Sequence, residues 1–366
     1  MRPNPGRRSV DRIARRACLA ALLATGAFCA TVLAAPPGET LRAALPPAPV
    51  PDIDAYMQIG ALGTPFVTED GRTLFFNSAA SGTTQLYRVD LCGYPVQLTI
   101  EPNGIAGCLP NFDYSFAIIS SSSDGSENYH FSLLDLGSGE FRPLPFEPGV
   151  RYVSPRFSRD GLTLYYTANA IDRASNAIYS MDLASGKSTL LLDRKGANGI
   201  EDVAPDGKSI LVSCAGAATD NDFFLLNLAT KEERRLTSHE GSAFYYAGVF
   251  SNDGRSCFFG SNDNASGITR LESMELATGQ RRVLSDPSSP WELETYSLSE
   301  SQRYAAWVTD EEGYGRVHLR DLARGRDLPL DLGLDGLVTS AQPTDAGVLC
   351  LLFQSPTRAP EVWTYD

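Results

Sequence analysis

Hydrophobic and polar positions alternate along Ser154–Leu192 in four short runs, which together predict one small antiparallel sheet. The first run ends before Asp160-Gly161, a tight-turn pair in which glycine takes positive φ without steric cost. Leu164–Thr167 is β-branched and aromatic, Ala177–Leu183 alternates, and Ser188–Leu192 follows a polar turn. The segment predicts a four-stranded meander, which needs neighbours of its own kind to bury its faces.

Two landmarks of this unit recur along the chain at a nearly constant spacing. The tight turn recurs as Asp-Gly at 70–71, 160–161, 206–207 and 253–254, with degenerate versions at 113–114, 301–302 and 345–346. A polar or acidic residue closes each third run, with gaps of 45, 47, 45, 48, 46 and 45 residues, at Asp90, Asp135, Asp182, Asn227, Glu275, Asp321 and Asp366. Because both landmarks keep one register over seven copies, we predict an all-β, seven-bladed β-propeller of four-stranded antiparallel blades. We interpret the recurring Asp side chains as turn caps that bond nearby backbone N–H groups, not as a catalytic cluster.

The N-terminal part of the chain differs from the repeats in composition. Residues 1–34 combine six arginines with an apolar stretch that ends in Val32-Leu33-Ala34, which is typical of a secretory signal peptide. A single N-terminal membrane anchor is the alternative. We predict a Pro-rich linker over residues 35–52 and the propeller over 53–366. The seventh repeat reaches Asp366 in its third strand, and we expect Ile53–Ile59 to supply its fourth, because an open sheet edge is a liability.

Charge limits the choice of partners. The formal net charge is −13, and without residues 1–34, which hold six Arg and one Asp, it is −18. An acidic body repels phosphate backbones, so we expect no nucleic-acid partner. Beyond the predicted signal peptide we expect no membrane association, which favours a secreted or periplasmic location.

Histidine and cysteine positions offer little chemistry. His130 and His318 fall in third strands away from the axis, and His239 lies in the connection to the fifth repeat. One histidine near the channel is too few for a His-rich metal site, and phosphate-loop, dinucleotide and calcium-loop motifs are missing from the sequence. We therefore predict no metal and no cofactor. Cys92 and Cys108 flank the crossover from the first to the second repeat, and whether they form a disulfide stays open.

Several stretches within about residues 50–366 resemble the propeller of prolyl-oligopeptidase-type (S9) serine peptidases: Leu86–Asp90 with Gln97–Thr99, Asp124–Glu127, Trp291–Glu294 with Leu298-Ser299, Asp310–Gly313 and Ser355–Trp363. The Asp-Gly and Asp-Leu-x-x-Gly repeats are also shared with TolB-type propellers, of the WD40-like PD40 kind. The resemblance implies a C-terminal α/β-hydrolase domain with a Ser–Asp–His triad. However, Gly207-Lys208-Ser209 and Gly254-Arg255-Ser256, the nearest forms of a Gly-x-Ser-x-Gly elbow, lack the final Gly and open β-strands. We therefore expect the family's fold without its catalytic residues, and no enzymatic activity.

The channel is the default place for a ligand, because first strands line the axis of a propeller. We predict a binding site, with Tyr245 beside it, at Arg156, Glu201, Asp202, Tyr246, Glu292 and Glu294. Its carboxylates and tyrosine suit a basic or amino-terminal group, whereas the competing interpretation is that they only solvate the channel. The main hypothesis is a non-catalytic module that binds or gates peptides, or docks to an α/β-hydrolase partner. The alternatives are a stand-alone TolB-like envelope scaffold, the propeller half of a split S9 peptidase, and a propeller lyase or lactonase.

Overall fold

The computed structural model describes residues 62–90 and 92–366. Within these ranges the chain forms 27 strands in seven antiparallel sheets, six with four strands and the last with three. This confirms the predicted all-β, seven-bladed propeller. In the part of the chain that the structure describes, no helix is long and apolar enough to cross a membrane. The predicted signal peptide, the linker and the expected fourth strand at Ile53–Ile59 lie outside the described residues.

The blades follow chain order, and within each blade consecutive strands are neighbours. Blade 1 contains β1 (Leu62–Val67), β2 (Thr73–Ser78), β3 (Gln85–Asp90) and β4 (Val96–Gln97). Blade 2 contains β5 (Ile105–Pro110), β6 (Phe116–Ser121), β7 (His130–Asp135) and β8 (Phe141–Pro143). Blade 3 contains β9 (Tyr152–Phe157), β10 (Thr163–Ala168), β11 (Ala177–Asp182) and β12 (Ser188–Leu192). Blades 4 and 5 contain β13 (Ala197–Val203), β14 (Ser209–Ala217), β15 (Asp220–Asn227), β16 (Glu233–Arg235); β17 (Tyr245–Phe250), β18 (Ser256–Ser261), β19 (Arg270–Glu275) and β20 (Arg281–Val283). Blades 6 and 7 contain β21 (Leu293–Leu298), β22 (Tyr304–Glu311), β23 (Tyr314–Asp321), β24 (Arg326–Leu328); β25 (Leu337–Pro343), β26 (Leu349–Ser355) and β27 (Arg358–Tyr365).

The turn between the first and second strands keeps one backbone geometry in six blades. Its positive-φ position is occupied by Gly71, Tyr114, Gly161, Gly207, Gly254 and Gln302. In blade 3 the Asp160 carboxylate accepts the backbone N–H of Leu162 at 3.0 Å and the hydroxyl of Ser158 at 2.5 Å. Equivalent bonds form at the other Asp-Gly turns, which confirms the interpretation of these Asp side chains as turn caps.

Apolar clusters fill the spaces between consecutive blades. Blades 2 and 3, for example, share a cluster that includes Ile118, Phe131 and Tyr166. Between the last and first blades the contacts include polar bonds: Gln342 Oε1 accepts the backbone N–H of Val67 at 3.0 Å. The Glu69 carboxylate in blade 1 likewise accepts the backbone N–H groups of Asp345 at 3.0 Å and Glu300 at 3.2 Å. These bonds join blades 6, 7 and 1 and close the ring.

The five cysteines in the described ranges are free thiols. Cys92 is exposed, whereas burial raises the pKa of Cys108 to about 12. Cys214, Cys257 and Cys350 lie on second strands, where they behave as small apolar side chains.

Candidate functional site

Every first strand has a bulge or irregularity in its pairing with the second strand. These irregularities lie between Gly63 and Phe66, Ile105 and Gly107, Val153 and Arg156, Ile200 and Asp202, Tyr246 and Val249, Leu293 and Thr295, and Val338 and Ser340. A bulge leaves backbone groups out of the ladder and redirects the neighbouring side chains. Because first strands surround the axis, the seven irregularities place such backbone groups around the channel.

The bulge in β17 is held by the blades on both sides of it. Ala247 has a φ of 52°, which is unusual for a residue other than glycine. Its carbonyl oxygen accepts the hydroxyl of Tyr296 from blade 6. The next backbone N–H, that of Gly248, donates to Glu201 Oε2 from blade 4 at 3.1 Å. Backbone groups that the bulge removes from the sheet are thus satisfied across blade boundaries.

A cavity of about 280 Å³ lies beside this bulge, between the first strands of blades 2 to 5. It is lined by Leu109, Pro110, Phe112, Arg156, Phe157, Glu201, Asp202, Ala247, Gly248 and Val249. Three of the predicted site residues, Arg156, Glu201 and Asp202, therefore share one pocket. Arg156 Nε donates to the carbonyl oxygen of Glu201 at 2.5 Å, and Arg156 Nη1 donates to that of Pro155 at 2.8 Å.

Asp202 connects blade 4 to blade 5. One carboxylate oxygen accepts the backbone N–H of Val203 at 2.8 Å, and the other accepts that of Phe250 at 2.8 Å. Burial raises the pKa of this carboxyl, although both N–H donors act in the opposite direction.

The other three predicted residues form a separate group on blades 5 and 6. The Tyr246 hydroxyl donates to the carbonyl oxygen of Leu293 at 2.9 Å. Burial, followed by the charges of Glu294 and Glu292, raises the pKa of Tyr246 above its usual value of 10. Both glutamates are exposed. Tyr245 turns away from this group, since its hydroxyl donates to Asp263 Oδ2 at 2.6 Å.

The structure adds residues that the sequence argument did not select. Arg159 Nη2 donates to Asn252 Oδ1 at 2.8 Å, which joins blade 3 to blade 5. The Arg159 guanidinium also lies 4.1 Å from the centre of the ring of Phe112, and Phe112 lines the cavity. Arg159 precedes an Asp-Gly turn, and the only sequence signal for it was a cation next to the end of a first strand.

The histidines lie apart from this cavity. His239 is the most enclosed, with a side chain 6% exposed and Nε2 at 3.6 Å from Asp220 and 3.7 Å from Asp222. Across residues 62–90 and 92–366, no three His, Cys, Asp or Glu side chains are grouped so as to hold a metal ion.

Comparison with known sequences gives a partial match. No family model matches the chain. A segment of 85 residues, 23% of the chain, is 32% identical to the Tol-Pal system protein TolB of Francisella tularensis subsp. holarctica, strain OSU18. TolB of F. tularensis subsp. tularensis, strain WY96-3418, gives 31% identity over the same length. The chain covers 19% of the length of these curated relatives.

Comparison with solved structures shows the same fold in several contexts. TolB from Acinetobacter baumannii superposes with a TM-score of 0.51 and 19% identity, over 73% of this chain and 62% of that one. A structure from a study of two prolyl endopeptidases gives 0.64 and 15%, over 84% and 50% of the two chains. An oligogalacturonate lyase in complex with manganese gives 0.67 and 15%, over 84% and 90%. The chain thus shares the β-propeller fold with these structures.

Proposed function

We propose that this chain is a non-catalytic binding propeller that takes a peptide or a protein segment into its central channel. The observation that carries the proposal is the 280 Å³ cavity between four first strands, with charged and apolar side chains on one wall. Pockets of about this size, with a few polar groups among apolar ones, are typical of ligand sites. The partial sequence match to a Tol-Pal system protein supports a role in interaction rather than in chemistry.

We further propose that the protein works in the cell envelope or outside the cell. The proposal is supported by the same 85-residue match and by the predicted leader in residues 1–34. Mass spectrometry of the mature protein, after expression with its own N-terminus, tests it. An N-terminus near residue 35 in the periplasmic or secreted fraction is expected. An intact N-terminus in the cytoplasmic fraction would contradict the proposal.

A phage-displayed library of random peptides tests the binding role. Val249 lines the cavity and is half-buried, so Val249→Trp should fill part of it. Leu190 on β12 is 44% exposed, and Leu190→Trp is the matched control on the outer strand of a blade. Peptides selected on the wild-type chain should bind the Leu190 variant equally and the Val249 variant at least tenfold more weakly.

The proposal fails if repeated selection yields no peptide, or if the selected peptides bind both variants alike. A hydrolase partner is tested separately, by co-purification with the tagged full chain and the same two variants. Loss of the hydrolase from the Val249 variant alone would identify it as the occupant of the channel.

A further inference from the structure

Two guanidinium groups beside the channel cavity form no ion pair with a described carboxylate. Arg156 uses two of its nitrogens on backbone carbonyl oxygens, and Arg159 bonds the neutral amide of Asn252 and stacks on Phe112. In the described ranges neither forms an ion pair. By contrast, Arg281 in blade 5 is paired with carboxylates on two sides. The arginine pair, Arg156 and Arg159, therefore carries positive charge that is not held in an ion pair, although the charges of both arginines act to lower the pKa of the Asp202 carboxyl against the effect of burial.

The acidic side chains on the same wall are already engaged. Glu201 Oε2 accepts the Gly248 N–H at 3.1 Å, and both oxygens of Asp202 accept backbone N–H groups at 2.8 Å. Removing these carboxylates from their donors would leave backbone N–H groups unpaired, which is costly in a partly buried place. Glu201 and Asp202 are therefore held in place by backbone N–H donors, two of which belong to blade 5. The anionic ligand proposed below differs from the basic group predicted from the sequence, which stays a prediction.

The wall next to the arginine pair is apolar. Leu109 and Pro110 at the end of β5, together with Phe112 and Phe157, line the same cavity. Phe112 is 38% exposed and lies against the guanidinium of Arg159. The pocket thus combines guanidinium N–H donors with space for one apolar side chain of a ligand.

We propose that this pocket recognises the C-terminal carboxylate of a peptide whose last residue is apolar. The carboxylate lies against the arginine pair, where planar guanidinium groups bond carboxylate oxygens in pairs. The last side chain packs against Leu109 and Phe112. The inference rests on the proposed channel-binding function and specifies its ligand, since an internal peptide segment or an amidated end lacks the charged group.

Fluorescence anisotropy with two matched probes tests this inference on the full chain. The probes are fluorescein-labelled Ala-Ala-Phe with a free C-terminal carboxylate and the same tripeptide as an amide. We expect the acid to bind at least tenfold more tightly than the amide. Arg159→Gln should weaken binding of the acid at least fivefold and leave the amide unchanged. Arg173→Gln is the control, because Arg173 bonds the carbonyl oxygen of Gly149 outside this pocket.

Arg159 is preferred to Arg156 for substitution because its bond to Asn252 lies in an exposed position. A urea titration of the variant checks that the fold is retained. Competition with 3-phenylpropionate separates a peptide terminus from a small carboxylic acid. If the small acid displaces the probe as well as the unlabelled tripeptide does, recognition of a peptide is overturned.

Two further results would overturn recognition of a terminal carboxylate without deciding whether the channel binds peptides. Equal binding of acid and amide, lost in Val249→Trp, would keep the channel as the site and exclude terminal-carboxylate recognition. Absence of binding by either probe would exclude this ligand class. In that case the library selection on the wild-type and Val249 variants still decides whether the channel binds other peptides.

Discussion

Replacing Tyr296 with phenylalanine tests how the bulge in β17 is held. The substitution removes the hydroxyl that donates to the carbonyl oxygen of Ala247 in the neighbouring blade. Tyr296 is 9% exposed, and burial raises its pKa well above the usual 10, so the hydroxyl stays protonated as a donor. Leaving a buried acceptor without its partner costs about 1–3 kcal/mol. With an unfolding entropy of about 2.1 cal/mol/K per residue over roughly 300 residues, this lowers the unfolding midpoint by about 2–5 °C.

Differential scanning calorimetry and urea unfolding followed by tryptophan fluorescence measure the change. Tyr87→Phe is the control, because its hydroxyl bonds Gln97 Oε1 at 3.1 Å in an exposed place, and we expect a loss of about 0.5 kcal/mol or less. Glu201→Gln combined with Tyr296→Phe should show non-additive losses, since both side chains hold the same bulge. Equal, small effects of Tyr296→Phe and Tyr87→Phe would refute the argument that interblade bonds hold the bulge.

Three other outcomes follow from the structure. A Cβ on Gly248 would lie 2.6 Å from Leu211 Cδ2, so Gly248→Ala should lower the free energy of unfolding in urea by about 1–3 kcal/mol. Gly107→Ala, at the corresponding bulge of β5, should cost clearly less, because the nearest contact of its Cβ would be at 3.9 Å. Hydroxyl and backbone N–H donors lower the pKa of turn aspartates from 3.8, to about 2 for Asp124. The stability that these bonds contribute is complete above pH 3.8 and is lost as the pH falls towards 2, so the unfolding midpoint should decline between about pH 4 and pH 2. A flat profile over this range would contradict the prediction. Deletion of residues 53–59 tests the expected fourth strand of blade 7: a lower unfolding midpoint supports it, and an unchanged midpoint contradicts it.

The blade repeat was predictable because the turn between the first and second strands of each blade depends on a few adjacent residues. Asp160-Gly161 and its copies need positive φ and a side-chain acceptor, which only a few residue types supply. Tyr114 and Gln302 take the same backbone geometry without glycine, and only the constant spacing located them. Seven sheets of this kind bury both faces of each blade when they stack in a closed ring, which is why the repeat predicts a propeller.

The site was less predictable because bulges decide which side chains meet. A residue facing the channel could be expected from strand order, and that reasoning placed Arg156, Glu201 and Asp202 in one cavity. A bulge shifts the alternation by one residue, and its position is not visible in the sequence. The commitment of Glu201 and Asp202 to backbone N–H groups in blade 5 depends on that shift. For this reason the sequence predicted a basic ligand without the backbone contacts of Glu201 and Asp202, and the binding experiments with acid and amide probes decide between the two charges.

The most direct measurement for the binding role is a crystal structure of the chain with a peptide selected on it. We expect the peptide to lie between the first strands of blades 2 to 5, in contact with Arg156 and Val249. A peptide bound on the outer strands or on the rim, with the cavity between these strands unoccupied, would contradict it.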